Sequence, residues 1–153
     1  MRSQRGFSLI ELLVVVIIIA VIAAIAIPSL LASRRAANEA SAIQSLRTIS
    51  SAESTYIGTQ GSNNSYGTLN QMNAAGMLDD MFVGGGFTKS GYTFTHSVAA
   101  TPNRFCADAT PIATNGIRIF GINESGLIWQ GLTAATPCDT GVLDTTGGSP
   151  IQN

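Results

Sequence analysis

Charge is scarce in this chain: 8 Lys/Arg and 9 Asp/Glu among 153 residues leave a formal net charge of -1. Such a balance offers phosphate backbones no broad attraction, which argues against a dedicated nucleic-acid binder and leaves no direct nucleic-acid site in view. Histidine occurs once and cysteine twice, too few to assemble a multi-ligand zinc site, a haem attachment sequence or an iron-sulfur cluster. No cofactor and no metal is therefore expected. Aromatics are also few, and only Phe7 and Tyr56 fall on the long amino-terminal helical segment. A continuous aromatic core for charge transport has little support, and the others are expected to pack or decorate a head. The length fits one compact unit plus appendages.

Apolar residues make up 45% of the chain and are unevenly spread. After the polar leader MRSQRG, Leu12 to Ile27 is an unbroken apolar run of sixteen residues. Extended to 7–31, the segment would rise roughly 37 Å as a helix, enough to cross a hydrocarbon core of about 30 Å. A secretory signal would have a shorter apolar core and a small-residue cleavage site. Ser29 to Ser33 is small enough for such a cut, but the helical pattern continues through it.

Two residues do not suit a plain anchor. Glu11 places a carboxylate inside the apolar segment, which is costly unless it is paired or lies in the headgroup region, and both readings stay open. Pro28 removes a backbone donor and can break or kink a helix, although membrane helices also tolerate proline without any role.

Together, Gly6, Phe7, Glu11 and Pro28 in GFSLIELLVVVIIIAVIAAIAIPSLLASRR resemble the amino terminus of type IV pilins and of the pseudopilins of type II secretion, over about the first 57 residues. The resemblance implies that a prepilin peptidase cuts between Gly6 and Phe7 and methylates the new Phe7 amine. Glu11 then stands fifth in the mature chain, where these families keep a glutamate. Pro28 matches the proline near which the pilin helix often loses its hydrogen bonds in assembled filaments. Arg2 and Arg5 are balanced by Arg34 and Arg35 across the span, so the count of positive charges does not orient it, and the resemblance supplies the external carboxyl domain. Cleavage would remove Arg2 and Arg5 and leave 6 basic against 9 acidic side chains.

The physics of that segment stands apart from the family name. A chain beginning at Phe7 carries an amine about one helical turn from Glu11, and in a fibre core the amine of one subunit could neutralise Glu11 of another. Removing one member of such a pair strands the other at a cost of about 3 to 5 kcal/mol, so the pair would select an axial stagger. The Val, Ile, Leu and Ala surface would pass from lipid to neighbouring helices, so cohesion rests on packing.

The expected organisation is a leader over 1–6, a long helix over 7–57 and a head over 58–153. Within the helix, 7–31 would be the membrane and fibre-core part and 32–57 an amphipathic part. Ala36, Ala40, Ile43, Leu46, Ile49 and Tyr56 would line its apolar stripe, interrupted near Glu53, with Arg34, Arg35, Asn38, Ser45 and Arg47 elsewhere. A membrane helix hinged at Pro28 to a separate soluble helix is the alternative. In the head, 58–90 reads as a connecting loop with a short helix that Thr68 caps and Gly76 stops, followed by a flexible GGGFTKSG. Residues 91–130 read as an antiparallel sheet of three or four strands: Tyr92 to Val98, Arg104 to Thr110, Ile117 to Ile122 and Leu127 to Gln130, the last two joined by Asn123-Glu124-Ser125-Gly126. The region 131–153 should be loop-rich. The fold class is α+β, a long amino-terminal hydrophobic helix packed by its second half on a small antiparallel sheet, in the pilin manner.

Cys106 and Cys138 lie on the expected external side, where a disulfide would stabilise a small loop-rich head by roughly 3 to 4 kcal/mol. The alternative is two buried thiols. His96 alternates with aromatic and aliphatic residues and reads as packed and hydrogen-bonded rather than as a base, since no nucleophile is visibly paired with it. Asp139 and Asp144 could supply oxygen ligands to calcium, but their spacing reproduces no recognised loop. Asp79 and Asp80 read as a solvated helix start. Asn63-Asn64-Ser65 and Asn123-Glu124-Ser125 fit a glycosylation pattern, although tight turns explain them as well.

No reaction centre emerges, so the expected role is assembly and not catalysis. The favoured reading is a filament subunit, held in the inner membrane as a precursor and polymerised into a surface filament for adhesion, twitching motility or DNA uptake. Its partners would be the membrane, copies of itself, a prepilin peptidase and the inner-membrane assembly machinery. The alternatives are a major pseudopilin of a type II secretion system and, in a different class, a membrane-tethered ligand-binding head that never polymerises.

Overall fold

The computed structural model describes residues 6–60, 65–84, 86–99, 103–131, 138–139 and 141–151. The chain divides into two compact units, residues 1–34 and 35–153. The helix α1, Leu9–Thr59, contributes to both and contains Pro28. In the first unit nothing from Gly6 to Arg34 is buried, and the helix there is apolar nearly all round.

In the second unit α1 buries Glu39, Ala42, Ser45, Leu46, Ile49, Ala52 and Glu53, a three-and-four spacing that makes one stripe. This corrects the stripe expected from hydrophobicity. Leu46 and Ile49 are buried and Ile43 and Tyr56 partly so, but Ala36 and Ala40 are exposed and Ser45 lies in the stripe. The polar members are admitted because they find partners: Ser45 Oγ donates to the Ser41 carbonyl at 3.0 Å, and both glutamates are bonded as described below.

Beyond α1, helix α2, Leu69–Ala74, is fixed by a capping box in which the Thr68 hydroxyl accepts from the Gln71 amide and the Gln71 side chain accepts from the Thr68 amide. Gly76, at φ +71°, follows its end. A short 3₁₀ turn, Asp80–Phe82, then brings Phe82 into the core. Asp79 stands at its start, and Asp80 Oδ1 accepts from the Asn73 side chain at 3.0 Å.

Among the described residues eight strands follow: β1 Gly86–Lys89, β2 Tyr92–Ala99, β3 Arg104–Pro111, β4 Phe120–Asn123, β5 Ile128–Gln130, β6 Cys138–Asp139, β7 Val142–Leu143 and β8 Ser149–Pro150. Six form one antiparallel sheet in the order β1-β2-β3-β4-β5-β8, and β6 pairs with β7 apart from it. The sheet is therefore larger than three or four strands. GGGFTKSG is not a flexible connection, because Gly86–Lys89 pairs with β2. Phe87 stacks on Phe94 with ring centroids 4.5 Å apart and meets the edge of Phe82 at 4.8 Å. Ser90 and Gly91, at φ +50° and +74°, supply the two left-handed residues of a tight hairpin. The fourth strand begins at Phe120 rather than Ile117, since Glu39 of α1 takes the Ile117 amide and the Arg118 side chain. The expected loop-rich tail contributes β6, β7 and the edge strand β8.

Register assigns the two faces. Tyr92, Phe94, Phe105, Ala107, Ala109, Phe120, Ile122 and Ile128 join Leu46 and Ile49 in the main core. The opposite face carries a second, smaller cluster of Cys106, Cys138 and Leu143 with Ile119 and Trp129 against it. A long apolar helix followed by an antiparallel sheet gives the whole an α+β, pilin-like layout.

Candidate functional site

The amino-terminal segment is built on a helix start. Phe7, 92% exposed, precedes α1. Ser8 occupies the capping position, with its carbonyl accepting from the Glu11 amide at 3.1 Å and the Leu12 amide at 3.3 Å. The Glu11 carboxylate turns back and accepts from the Ser8 amide at 2.8 Å. That is the glutamate half of a capping box, and it places negative charge at the positive end of the helix. Ser8-Leu9-Ile10-Glu11 carries the corresponding S-x-x-E spacing. Glu11 thus has a local partner one residue from the position that a cut after Gly6 would turn into an amine. Met1 to Arg5 lie outside the described residues. Pro28 lies within α1, and its expected break concerns the assembled filament.

The head is tied to α1 by two buried carboxylates that sequence reasoning passed over. Glu39 Oε1 accepts from the Ile117 amide at 3.1 Å, and its Oε2 accepts from Arg118 Nε at 3.0 Å. Burial opposes the Glu39 charge, but the Arg118 hydrogen bond, the Ile117 amide and the Arg118 charge outweigh it and hold the carboxyl below its ordinary range. Glu53, wholly buried, meets His96 Nε2 through Oε1 at 2.7 Å and accepts from the Gly67 amide through Oε2 at 3.0 Å. His96 is accordingly a packed, bonded histidine. Glu39, Leu46 and Glu53 recur at intervals of seven, which puts them on one helix face. That spacing is the available signal, hidden because a buried glutamate interrupts an apolar pattern.

On the other face of the sheet, Cys106 and Cys138 are joined with an Sγ–Sγ distance of 2.03 Å, as expected. The β6–β7 pair over this face is further held by the Gly141 amide, which donates to Ser97 Oγ at 3.1 Å. Gly141 adopts φ +76°, and a Cβ there would fall 2.6 Å from the Ala99 nitrogen. Asp108 lies beneath, 1% exposed, with Oδ2 accepting from Thr110 Oγ1 at 3.2 Å and Oδ1 without a partner among the described residues. Burial pushes its carboxyl up to about 6 despite the Thr110 and Cys138 hydrogen bonds. Burial also lifts the Tyr92 phenol, to about 12, aided by the Glu39 charge.

The remaining candidates are local. Asp144 Oδ1 accepts from the Thr146 amide at 2.9 Å, and its hydrogen bonds with Thr146 hold its pKa low. Asp139 is exposed. Among the described residues no three His, Cys, Asp or Glu side chains gather to hold a metal ion. Asn123 Oδ1 accepts from the Ser125 amide at 3.1 Å, which is turn chemistry. Asn63 and Asn64 lie outside the described residues.

Residues 1–27 match the family described as the Prokaryotic N-terminal methylation motif, the signal of type IV pilins and pseudopilins. The chain thus carries a prepilin-type amino terminus, an α1 long and apolar enough to cross a membrane by length and composition, and a disulfide-linked head. No curated protein and no solved structure matches it.

Proposed function

We propose that this chain is the structural subunit of a type IV pilus-like filament, stored in the inner membrane and polymerised through its amino-terminal helix onto the cell surface. The observation that carries the reading is the unburied apolar part of a helix that bears the methylation motif and has Glu11 in its first turn. A surface of Leu, Val and Ile this long has two stable surroundings, lipid and other helices of the same kind. In this reading 1–6 is the leader, 7–31 spans the membrane and later fills the fibre core, and the remaining helix and head form the outer layer. A prepilin peptidase cuts at Gly6-Phe7 and methylates Phe7, and the inner-membrane machinery extracts the subunit for adhesion, twitching motility or DNA uptake. The work is done by packing and register, with no catalytic step.

Intact-mass and terminal-peptide analysis of sheared surface material tests this. The expected result is long fibres of a chain that begins at methylated Phe7. Fibres retaining Met1 to Gly6 would refute the processing step. A processed chain that stays in the envelope and never enters sheared fibres would move the reading to a pseudopilin or to a tethered head.

A further inference from the structure

Strand β3 carries Cys106 and Asp108 two residues apart, so both side chains stand on one face of the sheet, opposite Phe105, Ala107 and Ala109 of the main core. Their Cα atoms are about 6.8 Å apart at that spacing, a gap that the two side chains and one water can bridge. Because β3 lies between β2 and β4, this proximity holds whatever β6 and β7 do. Cys106 is 0% and Asp108 1% exposed. Asp108 Oδ2 accepts from Thr110, while Oδ1 has no partner among the described residues. The Cys138 amide is hydrogen-bonded to the same carboxyl, which brings the second cysteine beside it. Across the neighbouring strands Asp108 faces Thr95 and Gly121, and the β6–β7 pair adds Val142, Leu143 and an exposed Asp139. No charged group contributes to the shift of its carboxyl. A buried carboxylate with an unpartnered oxygen costs stability, and a thiol buried near Ile119, Leu143 and Trp129 holds its proton tightly.

We propose that Asp108 is the proton acceptor in closing the Cys106–Cys138 disulfide. The oxidant is a small disulfide or the disulfide of an oxidoreductase. Cys138, at 4% the more exposed cysteine, first exchanges with it, releasing one thiol and leaving a mixed disulfide on Cys138. The Cys106 thiol then gives its proton to Asp108 Oδ1, and its sulfur attacks the Cys138 sulfur. The Cys106–Cys138 bond forms as the bond to the oxidant's sulfur breaks. That sulfur leaves as a thiolate and takes up a proton, which Asp108 can return through water. Two cysteines are oxidised and one disulfide is reduced to two thiols. Burial raises the Asp108 carboxyl to about 6, which makes it a stronger base than an ordinary aspartate yet leaves it ionised at neutral pH. The role concerns maturation of the head, whichever assembly the chain enters.

The test follows closure in the full-length chain, reduced in detergent and mixed with oxidised glutathione, by acid quenching, alkylation and intact mass. Decay of the species carrying one glutathione reads the closing step. In the parent its rate should level above about pH 6, where Asp108 is ionised. Asp108→Asn should close about tenfold more slowly at pH 7, with a rate that keeps climbing in proportion to the thiolate fraction. Thr110→Val keeps the carboxyl but removes a hydrogen bond that lowers its pKa, so its level stretch should begin at higher pH. An Asp108→Asn chain that closes as fast as the parent overturns the proposal. Slowing by one factor at every pH also overturns it and makes Asp108 a structural support of the β6–β7 pair. Should the reduced Asp108→Asn chain fail to fold, the Thr110→Val profile decides, and one that superimposes on the parent's overturns the proposal.

Discussion

The Glu53 carboxylate meets the His96 imidazole at 2.7 Å where both side chains are buried, and so joins the carboxyl-terminal end of α1 to the second strand. Its other oxygen holds the Gly67 amide, which brings the segment leading to α2 to the same point. Glu53→Ala should leave His96 and the Gly67 amide unsatisfied in the core, at a cost of about 3 to 5 kcal/mol to the head. Denaturant titration of the detergent-solubilised chain, read by Trp129 fluorescence, measures it. Replacing both members together, Glu53→Leu with His96→Phe, should recover much of the loss, because it removes the stranded partner. A single-variant cost under about 1 kcal/mol would show the pair to be incidental.

The disulfide should matter to the head and not to membrane insertion. Cys106→Ser removes a link between residues 32 apart in sequence and should lower head stability by roughly 3 to 4 kcal/mol. The β6–β7 pair should become the first site of protease cleavage, since few main-chain contacts hold it. Two freely alkylated cysteines in exported native protein would remove the proposed staple.

Asp108 gives the head a definite pH dependence. Its folded pKa, about 6, lies above the ordinary 3.8, so between those values the folded state binds more protons than the unfolded one. The stability that Asp108 contributes should be full below about pH 4, fall as pH rises through 6, and then level, with a total near 2 to 3 kcal/mol from this group. Asp108→Asn should flatten that slope and melt higher than the parent at pH 7.5. Thermal melts at pH 5 and 7.5 decide, and parallel shifts in the two proteins would exclude Asp108 as the cause.

Glu11 should govern assembly and leave the head intact. Its bond to the Ser8 amide is a local partner that an incoming Phe7 amine must replace or share. Glu11→Gln keeps the size and the accepting oxygen but loses the charge, so it should retain insertion and processing while the fibre yield drops. Glu11→Ala should behave alike, with weaker capping of α1. Processed monomer and sheared fibre are measured side by side without wild-type subunits. Wild-type fibre yields from both variants would return Glu11 to a headgroup-region residue.

The sequence alone determined the amino-terminal half of the story, because an apolar length and a carboxylate within it are properties of the residues themselves. The apolar length of 7–31, the prepilin-type motif and the odd carboxylate of Glu11 were all legible there. So were the Thr68 cap, the alternation along Tyr92 to Val98 and the Asn123 to Gly126 turn, since each depends on local chemistry. Tertiary structure decided the rest. Phe87 makes a strand of GGGFTKSG only because Phe94 and Phe82 lie in wait for its ring. Ser149 and Pro150 become an edge strand only because Trp129 and Gln130 offer one. Glu39 and Glu53 enter the buried stripe because Arg118, His96 and backbone amides from distant parts of the chain meet them. A buried charge looks like an interruption until its partner is known, and periodicity names no partners.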